Sequence, residues 1–275
     1  MGHAGVRRDT TREAPNSCHT GHTHHSRVGA RRLTGPLCSA TMTQPQTPTS
    51  DEALRWWAAG ELAVSGQVSR LTDAELAADS RLPEWSRAHV VAHLARNADA
   101  LVNLLTWART GVETPMYPSR AARDAGIEAT AAQPPAELRS DFVAACERLT
   151  HANEAMPADA WTAPVRNGQG AVVPASTVPW MRAKEIWVHG TDLGAGLTFA
   201  DAPADFCTAL VDDVLGLFAA REQAPDVTIV ATDVHRTWGD GGTEVEGPVA
   251  AIAAWLTRSD ASGLSGNVPP PPAWI

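Results

Sequence analysis

The chain has 275 residues, 44% of them hydrophobic, and a formal net charge of -9 at pH 7. This is room for one large domain or two ordinary ones of normal globular composition, and the acidity argues against a nucleic-acid partner, which needs a basic face. Four cysteines without a CxxC spacing make no disulfide framework, and no apolar run approaches the length of a membrane span or resembles the core of a signal peptide. The expected setting is therefore a reduced cytoplasm. Lys184 is the single lysine, and ten tryptophans stand against one tyrosine; both biases read as codon usage of a GC-rich genome.

Residues 1–41 mix Arg, Thr, Ser, Gly and His without apolar periodicity, which predicts a disordered extension upstream of a start at Met42. The run from His19 to His25 is read as part of that extension, not as a metal site. Five histidines remain for the folded body: His89, His93, His151, His189 and His235.

Capping and acidic residues at Thr49, Ser50, Asp51 and Glu52 predict a helix running to about Leu71, with Trp57, Glu61, Val64 and Val68 on one face. Thr72 to Pro83 reads as a connector holding at most a short helix. A long helix follows from Ser86 to Thr110, with an apolar stripe through Val90, Leu94, Leu101 and Leu105 and a stop at Gly111. Val112 to Gln133 starts as a loop and ends as a short helix. Pro134-Pro135 opens the next helix, whose face is Leu138, Phe142, Ala145, Leu149 and Ala152. A polar Gly-rich connector (Asn167 to Gly170) leads to a helix that begins near Thr177 and Pro179 and ends near Leu193-Gly194. Four main helices with two long connectors predict a bundle that is not simply up and down.

The pattern changes after Pro203, where a domain boundary is expected. Ala204 to Ala220 reads as helix, and Asp226 to Thr232 as a strand with Val227, Ile229 and Ala231 on one face. His235 to Trp238 and Thr243 to Glu246 flank Gly239-Asp-Gly-Gly242, a hairpin signal. Pro248 starts a final helix ending at Arg258, and the Pro-rich tail after it extends no helix.

Chemistry concentrates in Lys184-Glu-Ile-Trp-Val-His189. On a helix, Glu185 and His189 lie four positions apart on one face. On spacing alone a surface ion pair is the favoured explanation. Against it stand Met181, Ile186 and Val188 on the same helix, since carboxylates and imidazoles are costly to bury without partners. His93 interrupts the apolar stripe of the long helix and would complete two imidazoles and one carboxylate, the ligand set of a zinc site with one open position. His89, four residues before His93, is the candidate fourth ligand of a closed structural site. Asp192 could orient His189 or be solvated at the helix end. No GxSxG occurs, and Cys146 reads as core. Arg123 and Arg258 are kept as guanidinium forks suited to a small dianion.

The stretch from Trp85 to Leu101, the pair Met116-Tyr117, and Arg182-Ala-Lys-Glu-Ile-Trp-Val-His-Gly-Thr-Asp-Leu193 together resemble the mycothiol-dependent maleylpyruvate isomerases. Gly247-Pro-Val and Ala254-Trp-Leu-Thr-Arg258 are similar to the smaller C-terminal domain of that family. The resemblance covers residues 45–265. It implies a mainly α chain with an α+β second domain: a DinB-like metal-binding four-helix bundle over 42–200, a small sheet-and-helix domain over 201–265, and a Pro-rich tail over 266–275. It places the zinc ligands on His93, Glu185 and His189 and the catalytic arginine on Arg258, with Arg123 and Tyr117 as substrate-binding candidates.

The implied reaction is the zinc- and mycothiol-dependent cis-trans isomerisation of maleylpyruvate to fumarylpyruvate in aromatic degradation. The metal-bound thiolate adds to the double bond, the bond turns, and the thiolate leaves. The implied partners are mycothiol and a dicarboxylate substrate, with no nucleic acid and no membrane, for a monomer. The alternatives are a mycothiol S-transferase built on the same ligands and a non-catalytic metal- or ligand-binding module.

Overall fold

The computed structural model describes residues 48–274, and the expected extension over residues 1–41 lies outside them. The first helix, α1 (Ser50–Arg70), starts with a reciprocal cap. Thr49 Oγ1 accepts from the Glu52 amide, and Glu52 Oε2 accepts from the Thr49 amide at 2.9 Å, so two orphan N–H groups of the helix start are satisfied together. A short α2 (Asp73–Ala77) carries the same box on Thr72 and Glu75. The long α3 (Arg87–Thr110) is capped by Ser86 and ends at Gly111 in the left-handed conformation, with φ 72°. Then come α4 (Arg120–Ala131) and α5 (Pro135–Glu154). Strands β1 (Pro164–Arg166) and β2 (Val172–Pro174) form a small antiparallel hairpin where only a connector was expected. Its turn is held by Asn167, whose Oδ1 accepts from the amides of Gln169 and Ala171. Helix α6 (Val178–Asp192) closes the bundle.

Helix α3 lies at the centre and packs on α4, α5 and α6, while α1 packs along α6. Two glycines allow that last approach. A Cβ on Gly190 would come within 2.6 Å of Val64, and one on Gly60 within 2.6 Å of Ile186. The core is largely apolar, and the longest charged side chain buried in it is an arginine. Arg182 is fully buried, its Nε donating to Glu61, its Nη1 to Asn97 and to the Leu94 carbonyl, and its Nη2 lying 3.3 Å from Cys146 Sγ. A buried guanidinium is tolerable only when its donors are matched in this way.

Helix α7 (Ala204–Ala220) packs on α8 (Val249–Arg258). Beside them lies a four-stranded sheet of β3 (Val227–Ala231), β4 (Arg236–Trp238), β5 (Thr243–Gly247) and β6 (Ser265–Gly266), in the order β4-β3-β5-β6. The expected face of Val227, Ile229 and Ala231 is buried. The expected hairpin between β4 and β5 does not form. Instead β4 pairs antiparallel with β3, and β5 pairs parallel with β3 on its other edge. The glycine cluster serves the crossing: a Cβ on Gly239 or Gly241 would stand 2.3 Å from the backbone of Asp226 and Val227 at the start of β3. The glycines therefore answer to close backbone approach, not to a two-strand turn. All described residues fall in one compact unit, and no helix among them is long and apolar enough to cross a membrane.

Candidate metal centre

Three groups from two helices meet between α3 and α6. The ligand atoms of His93, Glu185 and His189 all lie within 4.8 Å of one another. Both imidazoles address one carboxylate oxygen: Glu185 Oε2 is 2.9 Å from His93 Nε2 and 3.5 Å from His189 Nε2. The two rings stand edge to face with centroids 4.4 Å apart. Trp85 flanks His93, with ring centroids 5.6 Å apart.

What holds this register is a clamp at the end of α6. Arg87, the first residue of α3, donates to the carbonyls of Leu193 and Gly194, and the Arg81 amide donates to the Asp192 carbonyl. The carbonyls left open by the helix terminus thus anchor α6 to the start of the helix that carries His93.

Asp192 is almost wholly buried beside His189, and its Oδ2 lies 2.8 Å from His189 Nδ1. The carboxylate is held from the other side by Arg258, whose Nε and Nη2 each donate at 2.7 Å. The remaining Arg258 amine donates to the Thr257 carbonyl, so the fork reaches the centre through Asp192. Desolvation alone would raise Asp192, but the hydrogen bonds from Arg258 and His189 outweigh it and hold the carboxyl near 2.

That ionised carboxylate places a proton on His189 Nδ1, and in the neutral ring the lone pair then lies on Nε2, 3.5 Å from Glu185 Oε2. Glu185 is itself ionised: desolvation opposes this, but the hydrogen bond from His93 and the imidazole charges bring it to about 2. His93 is pushed down to about 4, first by burial and then by His189, and is neutral at pH 7. Its Nδ1 is buried without a partner. A carboxylate and an imidazole lone pair aimed at one another are mutually repulsive, and a shared cation relieves this. The donor set therefore fits a divalent metal of the zinc type, and the orientation of His189 by a carboxylate is the usual accompaniment of a metal-binding histidine.

Tyr117 and Arg123 lie on the α3–α4 side. Desolvation and the Glu185 charge push the Tyr117 hydroxyl up to about 12, with Arg123 near enough to act against that rise. Arg123 also acts on His93, and it donates to Asp124 at 2.8 Å. His89 is not part of the cluster. Its Nδ1 accepts from the Ser86 amide and its Nε2 pairs with Glu128 at 3.2 Å, so the imidazole serves as the acceptor of a helix cap. On the other side, Glu185 and His189 open onto a cavity of about 750 Å³ between α6, α7 and the β1–β2 turn.

One further feature had a weak signal in the sequence and another had none. Glu61 sits within an apolar face of α1, which marks a buried partner, and that partner is Arg182. Arg87 and Arg81 had no local signal, because their role depends on where α6 ends.

Comparison with known proteins bears on this arrangement. A family model described as the mycothiol maleylpyruvate isomerase N-terminal domain matches residues 57–194. A crystal structure of the mycothiol-dependent maleylpyruvate isomerase is 33% identical, with a TM-score of 0.79 over 85% of this chain and 100% of that one. A histidine-to-alanine mutant of the mycothiol-dependent maleylpyruvate isomerase gives 32% identity with the same TM-score and coverage. No curated protein matches.

Proposed function

The chain belongs to the mycothiol-dependent maleylpyruvate isomerase family, and on that premise we propose that it isomerises maleylpyruvate to fumarylpyruvate with mycothiol and a zinc-type metal. The observation that carries this reading is the convergence of His93, Glu185 and His189 on one point, with the His189 proton held away from it by Asp192. When bound, the cation would lower the pKa of a thiol, and the thiol of mycothiol would supply a nucleophile for reversible addition to the cis double bond.

The chain's own residues then have distinct tasks. His93, Glu185 and His189 would hold the metal. Two neutral imidazoles and one carboxylate would leave a divalent cation with one unit of positive charge, a site that favours an anionic ligand. Asp192 keeps His189 in the metal-binding tautomer. Arg258 is a positioning residue that holds Asp192, and it ties α8 to the end of α6. Arg123 and Tyr117 would receive a substrate carboxylate. On this assignment the described residues up to 200 form the metal-binding bundle and residues 201–265 the smaller part that braces it.

The test joins metal analysis to an isomerisation assay with and without mycothiol. Stoichiometric zinc that is lost in His93→Ala or His189→Ala, together with thiol-dependent formation of the trans product, is the expected result. A protein that takes up no metal when supplied with zinc overturns the reading. Zinc with conjugation of electrophiles to mycothiol but no isomerisation would instead assign it as an S-transferase on the same centre.

A further inference from the structure

Asp192 is the last residue of α6, and Arg258 is the last residue of α8. The pair that orients His189 therefore joins two helix ends, where intrahelical bonding is incomplete and helices fray. Ser259, directly after Arg258, has already left the helix in the left-handed conformation, with φ 56°. In its own plane the guanidinium is engaged: Nε and Nη2 donate to Asp192, and Nη1 donates to the Thr257 carbonyl. None of these contacts covers its flat faces.

The C-terminal tail meets one of those faces. The centre of the Trp274 ring lies 5.7 Å from Arg258 Cζ, within the reach of a cation–π contact. The tail that carries Trp274 is fixed at both ends. At its start, Trp255 Nε1 in α8 donates to the Pro269 carbonyl at 2.9 Å. At its end Arg221, which caps the C-terminus of α7, donates through Nη1 to the carbonyls of Ala273 at 3.3 Å and Trp274 at 3.0 Å. Between the anchors, Pro270, Pro271 and Pro272 restrict the backbone before folding, so laying this segment down costs little conformational entropy. Their missing amides also keep the segment from adding a strand beyond β6.

We propose that Pro269 to Trp274 is a strap and that Trp274 is a positioning residue for the centre. Its ring covers the Arg258 guanidinium and keeps it on Asp192, and through Asp192 it keeps His189 Nε2 turned toward Glu185. The end of the chain thereby supports a cluster whose members lie on α3 and α6. This inference rests on the reading of His189 as a metal ligand, while the hold on Arg258 is measurable without any metal.

Three substitutions separate the parts of the strap. Trp274→Leu keeps apolar bulk and removes the aromatic face. Trp274→Phe keeps a smaller face. Arg221→Met leaves the ring intact and releases the backbone that carries it.

Two quantities are read on the full chain. The first is the hydrogen-exchange rate of the Arg258 Nε–H in the metal-free protein, its NMR signal identified by its loss in Arg258→Gln. The second is zinc affinity, by competition with a chelator at pH 7. Trp274→Leu and Arg221→Met should each speed the exchange and weaken zinc binding about two- to fivefold, the size of a partly exposed cation–π contact. Trp274→Phe should lie between Trp274→Leu and wild type. Once Arg258→Gln is in place, adding Trp274→Leu should cause no further loss of zinc affinity, because the ring then has no guanidinium to hold.

Wild-type exchange in both Trp274→Leu and Arg221→Met overturns the proposal, as does a phenylalanine variant no better than the leucine one. So does faster exchange with unaltered zinc affinity, or an equal loss of zinc affinity with and without Arg258. Should Trp274→Leu fail to fold, Trp274→Phe and Arg221→Met carry the same comparison. A wild-type protein that binds no zinc ends the metal reading instead, and the exchange rates then decide by themselves whether the strap holds Arg258.

Discussion

Asp192 Oδ2 stands 2.8 Å from His189 Nδ1, and the carboxylate that makes this contact is gripped on its far side by Arg258, 66 positions along the chain. A histidine chosen from a helix pattern is thereby fixed in tautomer and orientation by a different part of the molecule. Asp192→Asn removes the charge that keeps the proton on Nδ1. Zinc affinity, measured by competition with a chelator at pH 7, should fall about 10- to 100-fold. Unchanged affinity would separate Asp192 from the centre.

Arg258 should act on the metal only through Asp192. Arg258→Gln is expected to weaken zinc binding, by less than Asp192→Asn does. In a double-mutant cycle the pair should be non-additive by about 0.5–3 kcal/mol. Strict additivity would mean that Arg258 works by another route, such as direct contact with substrate.

The metal-free protein should lose stability in mild acid. His93 is held near 4 against its ordinary 6.5, chiefly by burial. Between those values the unfolded chain takes up a proton that the folded chain does not, so the stabilisation is complete above about pH 6.5 and lost as pH falls toward 4. The size is on the order of 3 kcal/mol. Urea midpoints of metal-free wild type should fall more steeply over that window than those of metal-free His93→Leu. Parallel curves would contradict the assignment.

Glu61→Leu tests the other polar cluster of α6. It leaves Arg182, with no exposed surface, without its carboxylate, at a cost of about 3–5 kcal/mol. Zinc content of the folded fraction should stay stoichiometric, and Glu61→Leu combined with Arg182→Met should recover much of the loss in urea unfolding. Loss of zinc in the single variant would show that this ion pair also shapes the centre.

Gly190→Ala probes the link between packing and site. The added methyl would meet Val64 at 2.6 Å and Leu197 at 2.9 Å, in the helix that carries Glu185 and His189. Overpacking of this kind costs about 1–3 kcal/mol. The displacement of α6 from α1 should weaken zinc binding as well as lower Tm. A drop in Tm with unaltered zinc affinity would indicate that α6 moves as a rigid unit with α3.

Some of this protein was determined locally. The capping boxes at Thr49 and the stop at Gly111 bound their helices because a cap involves only neighbours in the chain. Glu185 and His189 share a face because a helix repeats every 3.6 residues, so two of the three groups of the centre were legible in six consecutive residues. The partnership of Asp192 with His189 was open for the same reason: three positions apart, the two can meet, but solvation was an equal outcome.

Tertiary structure decided what crosses the chain. That His93 lies against Glu185, 92 positions away, depends on α3 packing beside α6 and on Arg87 holding the end of α6. The break in the apolar stripe singled out His93 and the family resemblance named the same three residues, but no spacing along the chain fixes how near they come. The glycines at 239–242 carried a true signal of close backbone approach, but a pattern cannot say which backbone approaches, and they pass beneath β3 instead of turning a hairpin. The commitment of Arg258 to Asp192 is the clearest case. As a sequence letter it is a free guanidinium near the C-terminus, and only the meeting of α8 with the end of α6 turns it into a support for His189.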